Sequence, residues 1–116
     1  MDTKPLQFVG SSRDDLRDMP SEARQDIGYA LSKLQSGEWP SDTKPFNQIG
    51  PGTHEIRVRD DDSTYRTFFV AKFPEAIYVL HAFVKKTQKT PQREIALAQR
   101  RYQAMIAERG LGLPAR

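Results

Sequence analysis

The apolar and polar positions of this 116-residue chain change period several times, and each change marks an element. Leu6 to Val9 is a short apolar run closed by Gly10, which predicts a first strand. Ser11 or Ser12 then predicts the N-cap of a short helix through Arg17, because a serine oxygen accepts an otherwise unpaired N–H of the first turn. Asp14 and Asp15 fall in that turn, where the helix dipole favours negative charge. Pro20 suits the first position of a second helix, where its missing N–H costs nothing. From there Ala23, Ile27, Ala30, Leu31 and Leu34 keep to one helical stripe, and Gly37 predicts its C-cap. Glu22, Arg24, Gln25, Asp26, Ser32 and Lys33 make the solvated face. Residues 11–37 thus read as a helical hairpin with one face to bury.

Residues 38–53 hold three prolines and two glycines and read as a connecting loop, pinned to the core by Trp39, Phe46 and Ile49. Gly50-Pro51-Gly52 has neither the feeding strand nor the following helix of a phosphate-binding loop, and predicts a tight turn instead. A period of two follows. His54, Ile56 and Val58 face one way, and Glu55, Arg57 and Arg59 face the other. Asp60 to Thr64 predicts a hairpin connection, Tyr65 to Phe73 a returning strand, Pro74-Glu75 a turn, and Ile77 to Val84 a third strand. These three strands form an antiparallel meander. The last two are apolar on both faces, so each face needs a cover. The helical hairpin covers one. A C-terminal helix from Pro91 to about Arg109, with the stripe Ile95, Ala98, Tyr102, Met105 and Ile106, partly covers the other. Thr90 is its expected N-cap and Gly110 its stop, with residues 110–116 a fraying tail of a single domain. The fold class is α+β.

Composition narrows the chemistry. With no cysteine there is no disulfide, thiolate metal site or cysteine nucleophile. The longest apolar run, Ala76 to Val84, is far short of the roughly 20 residues a bilayer demands, and the N-terminus lacks a secretory h-region, so a cytoplasmic location is expected. The net charge of +3 is unevenly spread. Residues 1–42 carry five Lys/Arg against eight Asp/Glu, residues 43–84 five against five, and residues 85–116 eight against two, a net of +6. A basic block of that kind is the electrostatic footprint of a phosphate-bearing partner.

Few residues carry candidate chemistry. The triplet Asp60-Asp61-Asp62 lacks the D-x-D-x-D-G pattern of a calcium loop and reads as a solvated turn, so no metal is expected. His81 shares its strand with Ile77, Val79 and Phe83 on the expected core face, and reads as a hydrogen-bonded core residue. His54, at a strand start, is a candidate for proton transfer because imidazole titrates near neutrality. Arg66 stands among apolar neighbours and needs a reason. The ordinary account is a cross-strand pair with Glu55 or an aspartate. The functional one is that Arg57, Arg66 and the Lys85-Lys86 edge converge on one open patch of the sheet. There, guanidinium forks would hold a phosphate and stabilise the extra charge of a pentacoordinate phosphorane.

The segment HEIRVRDDDSTYRTFFVAKFPEAIYVLHAFVKKTQKTPQREIALAQRRY resembles the RelE/ParE superfamily of toxins, and within it the HigB-like, phage-derived branch. The order of motifs matches that branch: E-I-R on one strand, Y-R on the next, LHAFVKKTQKTP at the end of the last strand, and A-x-x-R-Y on the helix. The resemblance implies a RelE-like fold with an N-terminal strand beside the meander. It implies a ribosome-dependent mRNA endonuclease that cleaves without metal or cofactor through the ribose 2′-OH. Arg57 and Arg66 match the arginines that grip the scissile phosphate, and Lys85 and Lys86 the basic position at the last strand's end. Lys85, Lys86 and His54 are the candidates for general base, while Arg59, Lys89 and Arg93 are expected RNA-backbone contacts. The expected partners are mRNA on the ribosome and a cognate HigA-like antitoxin with a helix-turn-helix domain, with no membrane. A ParE-like gyrase inhibitor and an inactive RNA-binding module are the alternatives.

Overall fold

The computed structural model describes residues 3–111. Along the chain these form β1 (Leu6–Phe8), α1 (Ser12–Arg17), α2 (Ser21–Gln35), β2 (Thr43–Pro45), β3 (Thr53–Arg59), β4 (Thr64–Val70), β5 (Ile77–Lys85) and α3 (Gln92–Gly110). The five strands form one sheet in the order β1-β5-β4-β3-β2. The meander β3-β4-β5 is antiparallel, as its short turns require. β1 adds to β5 in parallel, and β2 pairs antiparallel with β3 at the far edge. β2 lies inside the stretch that reads as loop. It has only three residues and ends in Pro45, whose missing N–H is tolerated at a sheet edge.

The expected stripe on α2 is the buried one: Ala23, Ile27, Ala30, Leu31 and Leu34 pack with Ile56, Tyr65, Phe69, Ile77 and Val79 on one sheet face. Burying Ile27, Leu31 and Leu34 contributes about 2 kcal/mol each. Gly37, at φ +85°, closes the helix. Its N–H donates to Leu34 O and that of Glu38 to Lys33 O, a Schellman pair that satisfies two terminal carbonyls. On the other face α3 brings Ile95, Ala98, Tyr102 and Met105 against Phe68, Val70, Tyr78 and Leu80. Ile106, counted with that stripe, is partly exposed instead.

Several local expectations are corrected. Neither serine caps α1 through its side chain. Ser12 Oγ donates to Val79 O at 2.9 Å, and Ser11 Oγ accepts from Arg101 at 2.7 Å, so both serve tertiary contacts. Pro91, not Thr90, is the N-cap of α3, and the helix runs through Gly110 to a cap at Leu111. Of the expected fraying tail, residues 112–116 lie outside the described residues. Trp39 is half exposed and does not anchor the loop as a core residue, whereas Ile49 does.

A β-bulge in β5 changes which residues face α3. Phe68 pairs with His81 but Phe69 with Val79, so Leu80 is the extra residue. His81 therefore leaves the face of Ile77 and Val79 and stacks on Phe83, ring centroids 5.1 Å apart. It is still hydrogen-bonded: Nε2 lies 2.8 Å from Glu94 Oε1 and Nδ1 3.3 Å from Asp15 Oδ2. Arg101 completes that cluster, donating to Asp15 and to Leu80 O, both at 2.9 Å. The cluster joins α1, β5 and α3.

Candidate active site

Beyond the reach of α3, the same sheet face becomes polar, because successive strand positions on one face share a row with their neighbours. Lys44 of β2 is in register with Glu55 of β3. Arg57 of β3 is in register with Arg66 of β4, which in turn faces Phe83 of β5. One row further, Arg59 meets Thr64, which meets Lys85. Lys44, Arg57, Arg59, Arg66 and Lys85 thus share one face of four adjacent strands.

The two central arginines are not an open patch. Arg66 is buried, and its Nη1 donates to Glu55 Oε1 at 2.6 Å. The cross-strand pair with Glu55 is therefore real, but it lies inside the protein. Arg57 is more accessible, with Nη2 2.7 Å from Asp42 Oδ1 and its backbone N–H on Asp42 O. β2 and the residue before it thereby supply the partner of Arg57. The sequence hid this contribution because nothing in TKP signals a strand.

Lys85 ends β5 half-buried, with Lys86 exposed beyond it. Burial, and then the Arg66 guanidinium, push the Lys85 ammonium below the ordinary lysine range. Glu55 acts in the opposite sense, and Lys44 and Arg57 add to the depression. Both loss of solvation and nearby positive charge disfavour the protonated form. Lys85, Lys86 and Arg66 line an open cavity of about 440 Å³ between the β3–β4 loop and the segment after β5. Asp60 to Ser63 form its opposite wall. Asp60 fixes that wall by accepting from the N–H groups of Asp62 and Ser63 and from the Tyr65 hydroxyl. The Asp62 N–H, the Tyr65 hydroxyl and the Ser63 N–H, in that order, hold its carboxyl below the usual range. Among the described residues no group of carboxylates and histidines is arranged to hold a metal ion.

His54 is not brought to this site. Its ring packs between Trp39 (4.8 Å) and Phe69 (5.9 Å), on the face that carries α2. The period-two alternation that sets Arg57 on one face sets His54 on the other. Lys89 and Arg93 are exposed, in the loop after β5 and the first turn of α3. Tyr102 is buried in the core and donates to Pro51 O at 2.7 Å.

What gathers here is a half-buried amine with a lowered proton affinity, set among guanidinium groups beside an open cavity. That arrangement can take a proton from a hydroxyl and hold a phosphate. No curated protein matches the chain. Among solved structures, the E. coli toxin RelE in the free state, as a double arginine-to-alanine variant, aligns with a TM-score of 0.61 at 15% identity. The alignment covers 90% of this chain and 99% of that one, a likeness of fold. The family described as "Phage derived protein Gp49-like" matches residues 14–103, most of the chain. On these grounds the chain belongs to the phage-derived Gp49-like family and carries the RelE fold.

Proposed function

We propose that this protein is the toxin of a toxin–antitoxin pair and an endoribonuclease that cuts mRNA on the ribosome. The observation that carries the reading is Lys85: an amine whose proton affinity is lowered by burial and by Arg66, opening onto a cavity it shares with that arginine. Such an amine gives up its proton more readily than an ordinary lysine, which suits it to the part of general base. Its Nζ lone pair takes the proton of a ribose 2′-OH, and the 2′-oxygen attacks the adjacent phosphorus. The bond from phosphorus to the 5′-oxygen breaks, leaving a 2′,3′-cyclic phosphate. The 5′-oxygen leaves as a hydroxyl, its proton supplied by the Lys86 ammonium on the same cavity wall. Arg57, once it exchanges Asp42 for the phosphate, stabilises the phosphorane charge together with Arg66. Arg59, Lys89 and Arg93 contribute charge to the RNA backbone, and the partner protein is an antitoxin of HigA type that blocks the basic face.

The test is inducible expression of the parent and of Lys85→Ala, with growth followed in culture and cleavage mapped on mRNA in a purified translation system. The parent should arrest growth and cut mRNA only with ribosomes present. The Lys85→Ala form should do neither while keeping its melting temperature. Full toxicity of that variant, or growth arrest accompanied by lost gyrase supercoiling and intact mRNA, would sink the proposal.

A further inference from the structure

Among the described residues Glu55 is the one fully buried carboxylate. It sits mid-strand in β3, between Lys44 and Phe68 in register, and binds Arg66 through a single oxygen. Its second oxygen, Oε2, and Arg66 Nε meet no hydrogen-bond partner. Stability does not account for such a pair. A buried ion pair can usually be exchanged for apolar side chains of similar volume at no loss, since desolvation offsets the Coulomb attraction. Phe68 and Phe83 beside it show that this face accepts apolar groups. What an apolar pair would not supply is a fixed guanidinium and a negative charge beneath a cluster of cations.

We propose that Glu55 is a positioning residue for the Lys85 site, anchoring the Arg66 guanidinium from below and supplying the counter-charge to the cations gathered on that face. The inference rests on the nuclease reading of Lys85. Arg66 lines the cavity with Lys85 and Lys86, so a guanidinium already tied to Glu55 meets a phosphate with its remaining N–H groups and little freedom to lose.

The electrostatic part has a definite sign. Lys85 is faced by Lys44 from β2, by Glu55, Arg57 and Arg59 from β3, and by Arg66 from β4. Lys86 follows it in the chain, and Asp60, Asp61 and Asp62 stand across the cavity. Glu55 alone of the sheet residues draws the Lys85 ammonium upward, while Lys44, Arg57 and Arg66 depress it. Neutralising Glu55 should therefore make Lys85 release its proton at lower pH.

The experiment uses the full chain as the parent, Glu55→Gln and Glu55→Asp. The side-chain resonances of Lys85 are followed by NMR against pH, beside the pH profile of mRNA cleavage in a purified translation system. Gln keeps the volume and the acceptor oxygen, and Asp keeps the charge while shortening the reach. In Glu55→Gln the Lys85 midpoint should fall by about half a pH unit, as expected for one charge in a partly hydrated setting. The acid limb of the cleavage profile should move with it. In Glu55→Asp the midpoint should stay while kcat falls, because Arg66 is less firmly held. A midpoint that is the same in all three proteins overturns the proposal and leaves Glu55 a structural residue only. The NMR readout needs no cleavage. A midpoint that moves in a protein that cuts no RNA defeats the nuclease reading and keeps the assigned effect of Glu55 on Lys85.

Discussion

Arg57 and Arg66 face each other as a register pair across β3 and β4, yet their carboxylate partners differ sharply in exposure. Like charges in such a pair repel, so each needs its own counter-ion. Asp42, bound to Arg57, is 45% exposed, whereas Glu55, bound to Arg66, is fully buried. A phosphate can displace the first and not the second. Arg57→Ala should lower the melting temperature little, since exposed pairs contribute about 1 kcal/mol or less, and should cut RNA cleavage by about 100-fold. Arg66→Ala leaves a buried carboxylate unpaired and should cost about 3–5 kcal/mol of stability. The double replacement Glu55→Leu with Arg66→Met should recover most of that loss. Denaturant melts of the three variants measure both outcomes.

In the proposed mechanism Lys85 sets the pH dependence of cleavage. Its proton affinity is lowered, first by burial and then by Arg66, and only the neutral amine accepts a proton. Cleavage should rise with pH through a midpoint below that of an ordinary lysine. Lys85→Arg, which keeps the charge but removes the base, should abolish the rise. A rate profile recorded under single-turnover conditions reads this directly. An identical profile in the arginine form would exclude Lys85 as the base.

The covering helices and the meander were legible because their signals are periodic: α2 buries the expected five residues, and β3 alternates as its sequence does. The site was legible in its parts but not in its depth. Arg57, Arg66 and Lys85 share a face as expected, but burial of Arg66 depends on what stands beside and above it, which is a tertiary fact. β2 is not legible in the sequence because three residues ending in proline carry no period. His81 lies on the opposite face from the one its period predicts because a bulge adds one residue to the count, and nothing in IYVLHAFV announces it. The likeness of KKTQKTP to the phage-derived toxins pointed where periodicity could not, to the strand end on which the proposed function rests.

Gly50 and Gly28 make opposite predictions for the same substitution. A Cβ on Gly50 would lie 2.5 Å from the Tyr102 ring, which its hydroxyl bond to Pro51 O holds in place. Gly50→Ala should therefore cost about 1–3 kcal/mol, as overpacking does. At Gly28, inside α2 and exposed, a Cβ meets nothing within 4 Å. Gly28→Ala should raise stability by up to about 1 kcal/mol through helix propensity. Thermal melts of the two single variants test the pair.

The Asp15–His81–Glu94–Arg101 cluster should matter for stability and not for chemistry, since it lies away from the cavity that Lys85 lines. Arg101→Met removes the donor to Asp15, Leu80 O and Ser11 Oγ together. The expected cost is about 2 kcal/mol, because the cluster is only partly reached by water. Cleavage per folded molecule should be unchanged. A variant that melts like the parent would show the cluster to be dispensable.

Arg109 clamps the end of α3 to the turn before β5, its Nε donating to Glu75 Oε2 at 2.5 Å and Nη2 to Oε1 at 3.2 Å. The guanidinium also lies over the Phe73 ring, 3.5 Å from its centroid. Hydrogen bonding from Arg109, helped by the Tyr78 hydroxyl, holds the Glu75 carboxyl down at about 2, against 4.5 for a free glutamate. A carboxylate depressed in the folded state contributes stability above its unfolded value and loses it as the folded value is approached. The melting temperature should thus hold above pH 4.5 and decline between pH 4.5 and 2. Arg109→Gln removes the main cause of the depression. The variant should melt below the parent at pH 7, and the gap should close as the pH falls through about 2, below which Glu75 is protonated in both. A gap that stays constant over that range would mean that Arg109 stabilises the helix end through Phe73 alone.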